Sequence, residues 1–309
     1  MDAPFPWFGG KKQTAKIVWK YFGNVPNYVE PFAGSLAILL SRPTPPKTET
    51  VNDLDCFIPN FWRAVKNDPQ KLIHFADYPI SEIDLHSRHD WLKSRKEFVS
   101  MMRKDPDYYD AKIAGWWVWG ICAWIGDGWC RVDSDKRPVL AGGNGVHSNK
   151  IKNNMEKYFK ALSNRLRNVR IVCGDWKRVL GPVPTTSWGI TGVFLDPPYA
   201  VDRRMKYDTS ETTDKKFTPR HKFSEDNLST KVSREVREWC IENGKNKKLR
   251  IALCGYEGEH EMPEDWKVVK WKSRGGYGAK GQSQGKENAL KERIWFSPYC
   301  KMHPKKFIY

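Results

Sequence analysis

Asn27-Tyr28-Val29-Glu30-Pro31-Phe32-Ala33-Gly34-Ser35-Leu36-Ala37-Ile38-Leu39-Leu40, followed after a proline-rich break at 43–46 by Thr50-Val51-Asn52-Asp53, decides the fold. Residues 27–30 read as a short strand that ends on an acid. Pro31 and Gly34 bracket a turn: proline offers no ladder N–H, and glycine takes backbone angles that a Cβ forbids. Ser35 is a candidate N-cap for a helix over 35–40, its hydroxyl accepting from one of the unpaired first-turn N–H groups. Residues 50–52 are a second strand whose tip is again an acid, Asp53. Strand, turn, helix, strand is the opening unit of a doubly wound α/β sheet. Upstream, apolar residues at 15, 17, 18, 21 and 22 predict a helix over 14–22.

Downstream the rhythm breaks. Residues 57–66, a charged stretch near 90–103, and 110–125 read as helices. Residues 126–150 are rich in Gly, Asp and Ser and read as a hairpin with loops, and 155–166 is helical again. The α/β rhythm returns at 169–173 and 192–195, apolar runs followed closely by Asp175 and Asp196. Residues 200–224 are charged and nearly free of aliphatics, a mobile loop by composition. A helix over 227–243 and strands over 249–254, 266–271 and 292–297 complete the chain, with a Gly-rich flexible segment at 275–284. The expected organisation is one discontinuous α/β domain, 1–55 and 165–309, interrupted by a mainly helical insert, 56–164.

Composition narrows the partners. The 309 residues carry 53 Lys+Arg against 36 Asp+Glu, a net charge of +17, and the excess lies mostly after residue 200. Such an excess points to an anionic partner, nucleic acid first and an acidic membrane surface second. No run approaches the ~18 apolar residues of a membrane span. The start, MDAPFPWFGGKK, lacks the apolar region of a signal peptide, so a cytoplasmic location is expected. The 7 cysteines are odd in number and never spaced C-x-x-C, against a disulfide scaffold or a zinc knuckle. His86 and His89 stand at i, i+3 without further ligands, so no metal is expected. Trp116, Trp117, Trp119, Trp124 and Trp129 sit at mixed helical spacing and read as core rather than as base-stacking platforms.

Three motifs carry chemistry. Asp196-Pro197-Pro198-Tyr199 follows an apolar strand, and its prolines fix two φ angles and remove two donors. What remains is a carboxylate and a neighbouring carbonyl, a rigid pair of acceptors suited to an –NH2 group, with a tyrosine face for a planar base. The amine of a base is a poor nucleophile because its lone pair is delocalised into the ring. Two acceptors on its hydrogens would localise that pair and offset the charge that grows as it attacks. Glu30, at the first strand tip, could bind a cationic amino group. Asp53, 23 residues later, stands where an acid grips ribose hydroxyls in doubly wound folds. Together they suit a nucleoside with a cationic amino-acid tail, and the absence of G-x-G-x-x-G speaks against a dinucleotide. Pro6-Trp7-Phe8-Gly9-Gly10-Lys11 adds a tight loop, a stacking face and a positive charge.

The order FGGK, VEPFAGS, NDLD, DPPY resembles that of the Dam-like (class D12, α-group) DNA adenine-N6 methyltransferases, over about residues 6–55 and 168–297. Residues 119–132, WGICAWIGDGWCRV, resemble the stretch leading into that family's DNA-contacting hairpin. The resemblance implies a Rossmann-like methyltransferase fold with an inserted, mainly helical DNA-recognition domain, S-adenosylmethionine as cofactor and double-stranded DNA as partner. It implies that Trp7 and Lys11 line the cofactor pocket and that Glu30 stands near the methionine amino group. Phe32, Ala33 and Gly34 would lie against the ligand, and Asp53 would hold the ribose. Asp175 would accept from the cofactor adenine, with Trp176 packed on its ring. Asp196, Pro197, Pro198 and Tyr199 would hold a flipped target adenine under the loop of 200–224. Gly255-Tyr256 departs from an Asn-containing turn frequent in the family.

In the insert, Arg131, Arg137 and Asn144 are of the types that read guanine and adenine edges. Lys215, Lys216 and Arg220 either contact phosphates or form a solvated face. An RNA adenine methyltransferase and a catalytically inactive DNA-binding relative are the rival expectations.

Overall fold

The computed structural model describes residues 1–7, 11–44, 47–95, 97–125, 129–130, 137–138, 145–199, 222–271 and 290–301, with 222–228 described by backbone alone. The chain opens with helix α1 (Ala15–Phe22), strand β1 (Asn27–Glu30), the short helix α2 (Ala37–Leu40) and strand β2 (Thr48–Asp53). Helices α3 (Phe57–Asn67), α4 (Pro69–Ala76), α5 (Glu82–Ser94), α6 (Glu97–Lys104), α7 (Ala111–Ala123), α8 (Asn149–Lys152) and α9 (Met155–Leu166) follow. Strands β3 (Val169–Cys173) and β4 (Thr191–Leu195), helix α10 (Lys222–Asn243) and strands β5 (Leu249–Tyr256), β6 (Lys267–Lys270) and β7 (Glu292–Phe296) complete the described elements.

The strands form one seven-stranded sheet in the order β3-β2-β1-β4-β5-β7-β6. The five from β3 to β5 are parallel, and β7 runs antiparallel between β5 and β6. β1 and β4 are buried at every position, as parallel strands covered on both faces must be. The pleat sorts their side chains. Tyr28 and Phe194 join the apolar cluster on one face, while Val29 and Val193 join the other, beneath α10 and the turn at Trp176–Val179. The chain reverses direction across the sheet between β1 and β4, and ligands of open α/β sheets bind in the crevice at such a switch point.

The helices between β2 and β3 do not build a core of their own. Phe61, Trp62, Trp117, Trp119 and Phe159 lie in the same apolar cluster as Val18, Phe22 and Phe296 of the α/β part. Trp117, Trp119, Trp124 and Trp129 are buried and Trp116 is half-buried, as the spacing suggested for core.

Three local expectations are corrected. Ser35 does not cap α2: Leu36 stands at the cap in a left-handed conformation, φ 58°, and no side chain supplies a capping bond. The turn is one residue longer because Leu36 N donates to Ala33 O at 2.8 Å, closing it before the helix begins. The charged stretch at 90–103 is two helices, α5 and α6, with Arg95 at the C-cap of the first. Helix α4 went unread, although Asp68-Pro69 signals it: Asp68 accepts from Lys71 N at 3.0 Å and Pro69 occupies the first helical position. Arg131, Asn144, Lys215, Lys216 and Arg220 lie outside the described residues, and Arg137 is described and exposed. Most of the expected hairpin at 126–150 and of the loop at 200–224 also lies outside them. Among the described residues no helix is long and apolar enough to cross a membrane, and no cluster of His, Cys, Asp or Glu could hold a metal ion.

Candidate active site

Four neighbouring parallel strands, β3, β2, β1 and β4, each end at or beside an acid: Asp175, Asp53, Glu30 and Asp196. At roughly 4.8 Å per strand the row is about 14 Å long, and it crosses the switch point between Glu30 and Asp196.

Glu30 is buried, 2% exposed, and Tyr28 Oη donates to its Oε2 at 3.0 Å. Burial holds its carboxyl well above the usual range, with the tyrosine bond opposing. A carboxyl whose pKa is raised on folding keeps a proton that the unfolded chain releases. Stability therefore falls as pH rises from the ordinary glutamate value of 4.5 through the raised one. Glu30→Gln removes that penalty and keeps an oxygen for Tyr28. We expect the variant to melt higher than the parent at neutral pH without ligand, with the gap closing toward pH 4.5. Thermal unfolding of both proteins across pH checks this, and a gap independent of pH would contradict it.

Asp53 organises the two turns beside it. Its Oδ2 accepts from Gly34 N at 2.9 Å and its Oδ1 from Asp55 N at 3.0 Å. Asn52 Nδ2 donates to Pro31 O and Gly174 O, joining the β1 and β3 tips. Gly34 takes φ 46°, and a Cβ there would stand 2.3 Å from the Trp7 ring. Glycine is therefore required both by the left-handed angle and by the closeness of the indole. Asp175 Oδ1 accepts from Lys177 N at 2.9 Å and starts the turn at Trp176–Val179. The Trp176 ring stacks near that of Phe32, centroids 6.1 Å apart, and its buried Nε1 has no hydrogen-bond partner among the described residues. Ala33 is buried in the turn after β1, its N donating to Asn52 O at 2.9 Å.

At the other end of the row, Asp196 Oδ1 lies 3.1 Å from Lys11 Nζ and accepts from Tyr199 Oη at 3.2 Å. Lys11 is buried, 4% exposed, 3.7 Å from Glu292 Oε2 and near the faces of the Tyr199 and Trp271 rings. Tyr199 Oη is 3.0 Å from Glu292 Oε2, and the Tyr199 ring meets Tyr256 edge to face at 4.7 Å. Burial raises the carboxyls of Asp196 and Glu292, with the charge of Lys11 opposing in both. Burial alone would lower Lys11, but Asp196 and the other nearby anions carry it above its ordinary value. Pro197 is buried and Pro198 exposed beside them.

Lys11, expected in the cofactor pocket, thus stands against the carboxylate of the DPPY stretch. Glu292 and Trp271 were not singled out by sequence. Glu292 is the first residue of β7, and only the antiparallel pairing of β7 with β5, Glu292 opposite Tyr256, carries it to this end of the sheet. Replacing it by Leu removes an acceptor for Tyr199 and one anion beside Lys11, whereas Gln keeps an acceptor. A lost hydrogen bond is worth about 0.5–1.5 kcal/mol. We expect Glu292→Leu to lower kcat several-fold or more and Glu292→Gln less, each with cofactor affinity within a few-fold. Steady-state kinetics beside equilibrium binding checks the split.

Comparison with known proteins agrees with this architecture. The family described as D12 class N6 adenine-specific DNA methyltransferase matches residues 7–272, from Trp7 to Lys272. A relative, Type II methyltransferase M.MjaIII of Methanocaldococcus jannaschii, is 28% identical over 227 residues, 67% of this chain and 72% of that protein. A match over most of the chain, on a sheet of this order with DPPY at its switch point, makes the protein a member of the D12 class of N6 adenine-specific DNA methyltransferases.

Proposed function

We propose that the protein methylates N6 of an adenine flipped out of double-stranded DNA, with S-adenosylmethionine bound along the row of acids. The single observation that carries this is the row itself: Asp175, Asp53, Glu30 and Asp196 on consecutive strand tips, in that order. A nucleoside with an amino-acid tail needs, in sequence, an acceptor for the base amine, one for ribose hydroxyls and one for an ammonium. The donor set fits the cofactor. Trp176, whose Nε1 is unpartnered among the described residues, and Phe32 supply aromatic surface at the base end, and the turn of Ala33 and Gly34 lets the ligand approach the backbone. When bound, S-adenosylmethionine supplies an electrophilic methyl group.

The chain's own residues then do the following. Glu30 holds the ammonium and Asp53 the ribose. Asp196 and the Pro197 carbonyl accept the hydrogens of the target amine, and Tyr199 stacks on the base. Asp196 acts as a fixed acceptor that offsets the charge developing on nitrogen, not as a strong base. Lys11 and Glu292 hold the carboxylate and the tyrosine in register. Asp196 is half-buried and Pro197 buried, so the adenine has to leave the helical stack to reach them. The type II name of the relative extends the reading to a role in a restriction–modification pair. Methyl-labelled cofactor incubated with DNA, followed by nucleoside hydrolysis, should place the label on N6-methyladenine. Label on cytosine or on no nucleoside would contradict the reading.

The insert of 56–164 is proposed to read sequence, with phosphate contacts borne by cations after residue 200. We expect Arg131→Ala or Arg137→Ala to relax the methylated sequence, at about 1–3 kcal/mol per lost base contact. Lys215→Ala with Lys216→Ala should weaken binding to all sequences alike and flatten its salt dependence. Methylation mapping on a mixed-sequence substrate separates the two outcomes.

A further inference from the structure

Two cysteines with no spacing motif between them meet at the nucleoside end of the acid row. Cys173 is the last residue of β3 and Cys56 precedes α3. Although 117 residues apart in sequence, their sulfurs stand 3.1 Å from each other, about 1 Å beyond the ~2.04 Å of a disulfide. Both side chains are half-buried, whereas Cys122, Cys240, Cys254 and Cys300 are buried. Burial pushes Cys122 and Cys300 up to about 12, and Cys240 and Cys254 well above the usual thiol range. Cys56 is the exception: its hydrogen bond with Cys173 holds it at about 7, against burial and the charge of Asp55. The thiolate is the reactive form of cysteine, and this one faces a surface cavity of about 280 Å³ whose lining includes Lys93, Arg95 and Cys130.

We infer that Cys56 and Cys173 form a reversible disulfide, a modification site that reports oxidation by hydroperoxides to the cofactor pocket. The Cys56 thiolate attacks the peroxide, the O–O bond breaks, and Cys56 becomes a sulfenic acid while the leaving alkoxide or hydroxide takes up a proton. The Cys173 sulfur then attacks the Cys56 sulfur. The S–O bond breaks, and hydroxide leaves with the Cys173 proton as water. The peroxide is reduced and two thiols are oxidised to one disulfide.

The site is tied to the acids on either side. Asp53 O accepts from Gly174 N at 3.1 Å, and Asn52 Nδ2 donates to Gly174 O at 2.9 Å. Gly174, at φ 151°, joins Cys173 to Asp175. Drawing the sulfurs together therefore alters the spacing between Asp53 and Asp175. A misplacement of order 1 Å can cost up to ~10² in a positioned interaction, so cofactor affinity should fall about tenfold or more on oxidation. This consequence rests on the proposed function; the disulfide itself does not.

The test is to treat the full-length protein with hydrogen peroxide under native conditions, block remaining thiols and map linkages by mass spectrometry. A Cys56–Cys173 linked peptide, abolished by dithiothreitol, is expected. Cys173→Ser should instead leave a sulfenic acid on Cys56 that dimedone traps. Labelled S-adenosylmethionine should bind the oxidised parent more weakly and Cys173→Ser equally before and after peroxide. No linked peptide, or a Cys56–Cys130 linkage, would overturn the site. A Cys56–Cys173 linkage with unchanged affinity would overturn its effect on the pocket. A reduced protein that binds no cofactor would count against the proposed function, and the linkage map would still decide the site.

Discussion

Asp196→Ala should abolish DNA methylation while leaving S-adenosylmethionine binding within a few-fold. The carboxylate is one of two acceptors proposed for the target amine, and removing one preorganised partner typically costs roughly 10²–10³ in rate. The loss is expected at the upper end because Asp196 also lies 3.1 Å from the buried Lys11. Deleting it removes a carboxylate in contact with that buried ammonium, and breaking a buried pair commonly costs about 3–5 kcal/mol of stability. Asp196→Asn serves as the companion variant: it keeps an acceptor oxygen but loses the charge. It should fold more stably than Asp196→Ala and remain far slower than the parent. Single-turnover transfer from pre-bound labelled cofactor separates chemistry from binding, and an Asp196→Ala protein with parental turnover would remove Asp196 from the role assigned to it.

The second large effect lies two strands away along the row, at Asp53. Asp53→Ala should weaken the cofactor complex while changing the rate at saturation much less. A charge-assisted hydrogen bond is worth about 1.5–3 kcal/mol, so the loss is roughly 10–100-fold in dissociation constant. The same change strips Gly34 N and Asp55 N of their acceptor, and the turn that carries Gly34 against Trp7 loses its anchor. Asp53→Asn, which can still accept one of those bonds, should fall between the parent and the alanine variant. Calorimetric titration of all three checks the order. Equal affinities would place the ribose elsewhere.

Legibility in the sequence followed the range of the interactions. The strand over 27–30 and the helix over 155–166 were readable to the residue because burial on both faces or on one stripe leaves a local pattern, and the half-buried edge strand over 169–173 was readable from its run of Val, Ile, Val and Cys. Asp175 and Asp196 were readable likewise, each closing an apolar run where the chain leaves the sheet, and Glu30 and Asp53 were readable as the acids that end their short strands. The cap of α2 was not, since Leu36 sits in a left-handed turn closed by Ala33 and not by a serine hydroxyl. Glu292 was hidden because nothing in Lys291-Glu292-Arg293 marks an acid that only antiparallel pairing brings beside Tyr199. The pairing of Lys11 with Asp196 and that of Cys56 with Cys173 were hidden likewise, each joining segments more than a hundred residues apart that share no spacing rule.

The central claim is the order of the row, and the structure of the protein with S-adenosylhomocysteine bound tests it most directly. The account predicts the ligand's adenine amine at Asp175 beside Trp176, its ribose hydroxyls at Asp53, its ammonium at Glu30, and its sulfur turned toward Asp196 across the switch point. A ligand bound away from these strand tips, or lying along them in the reverse order, would contradict it.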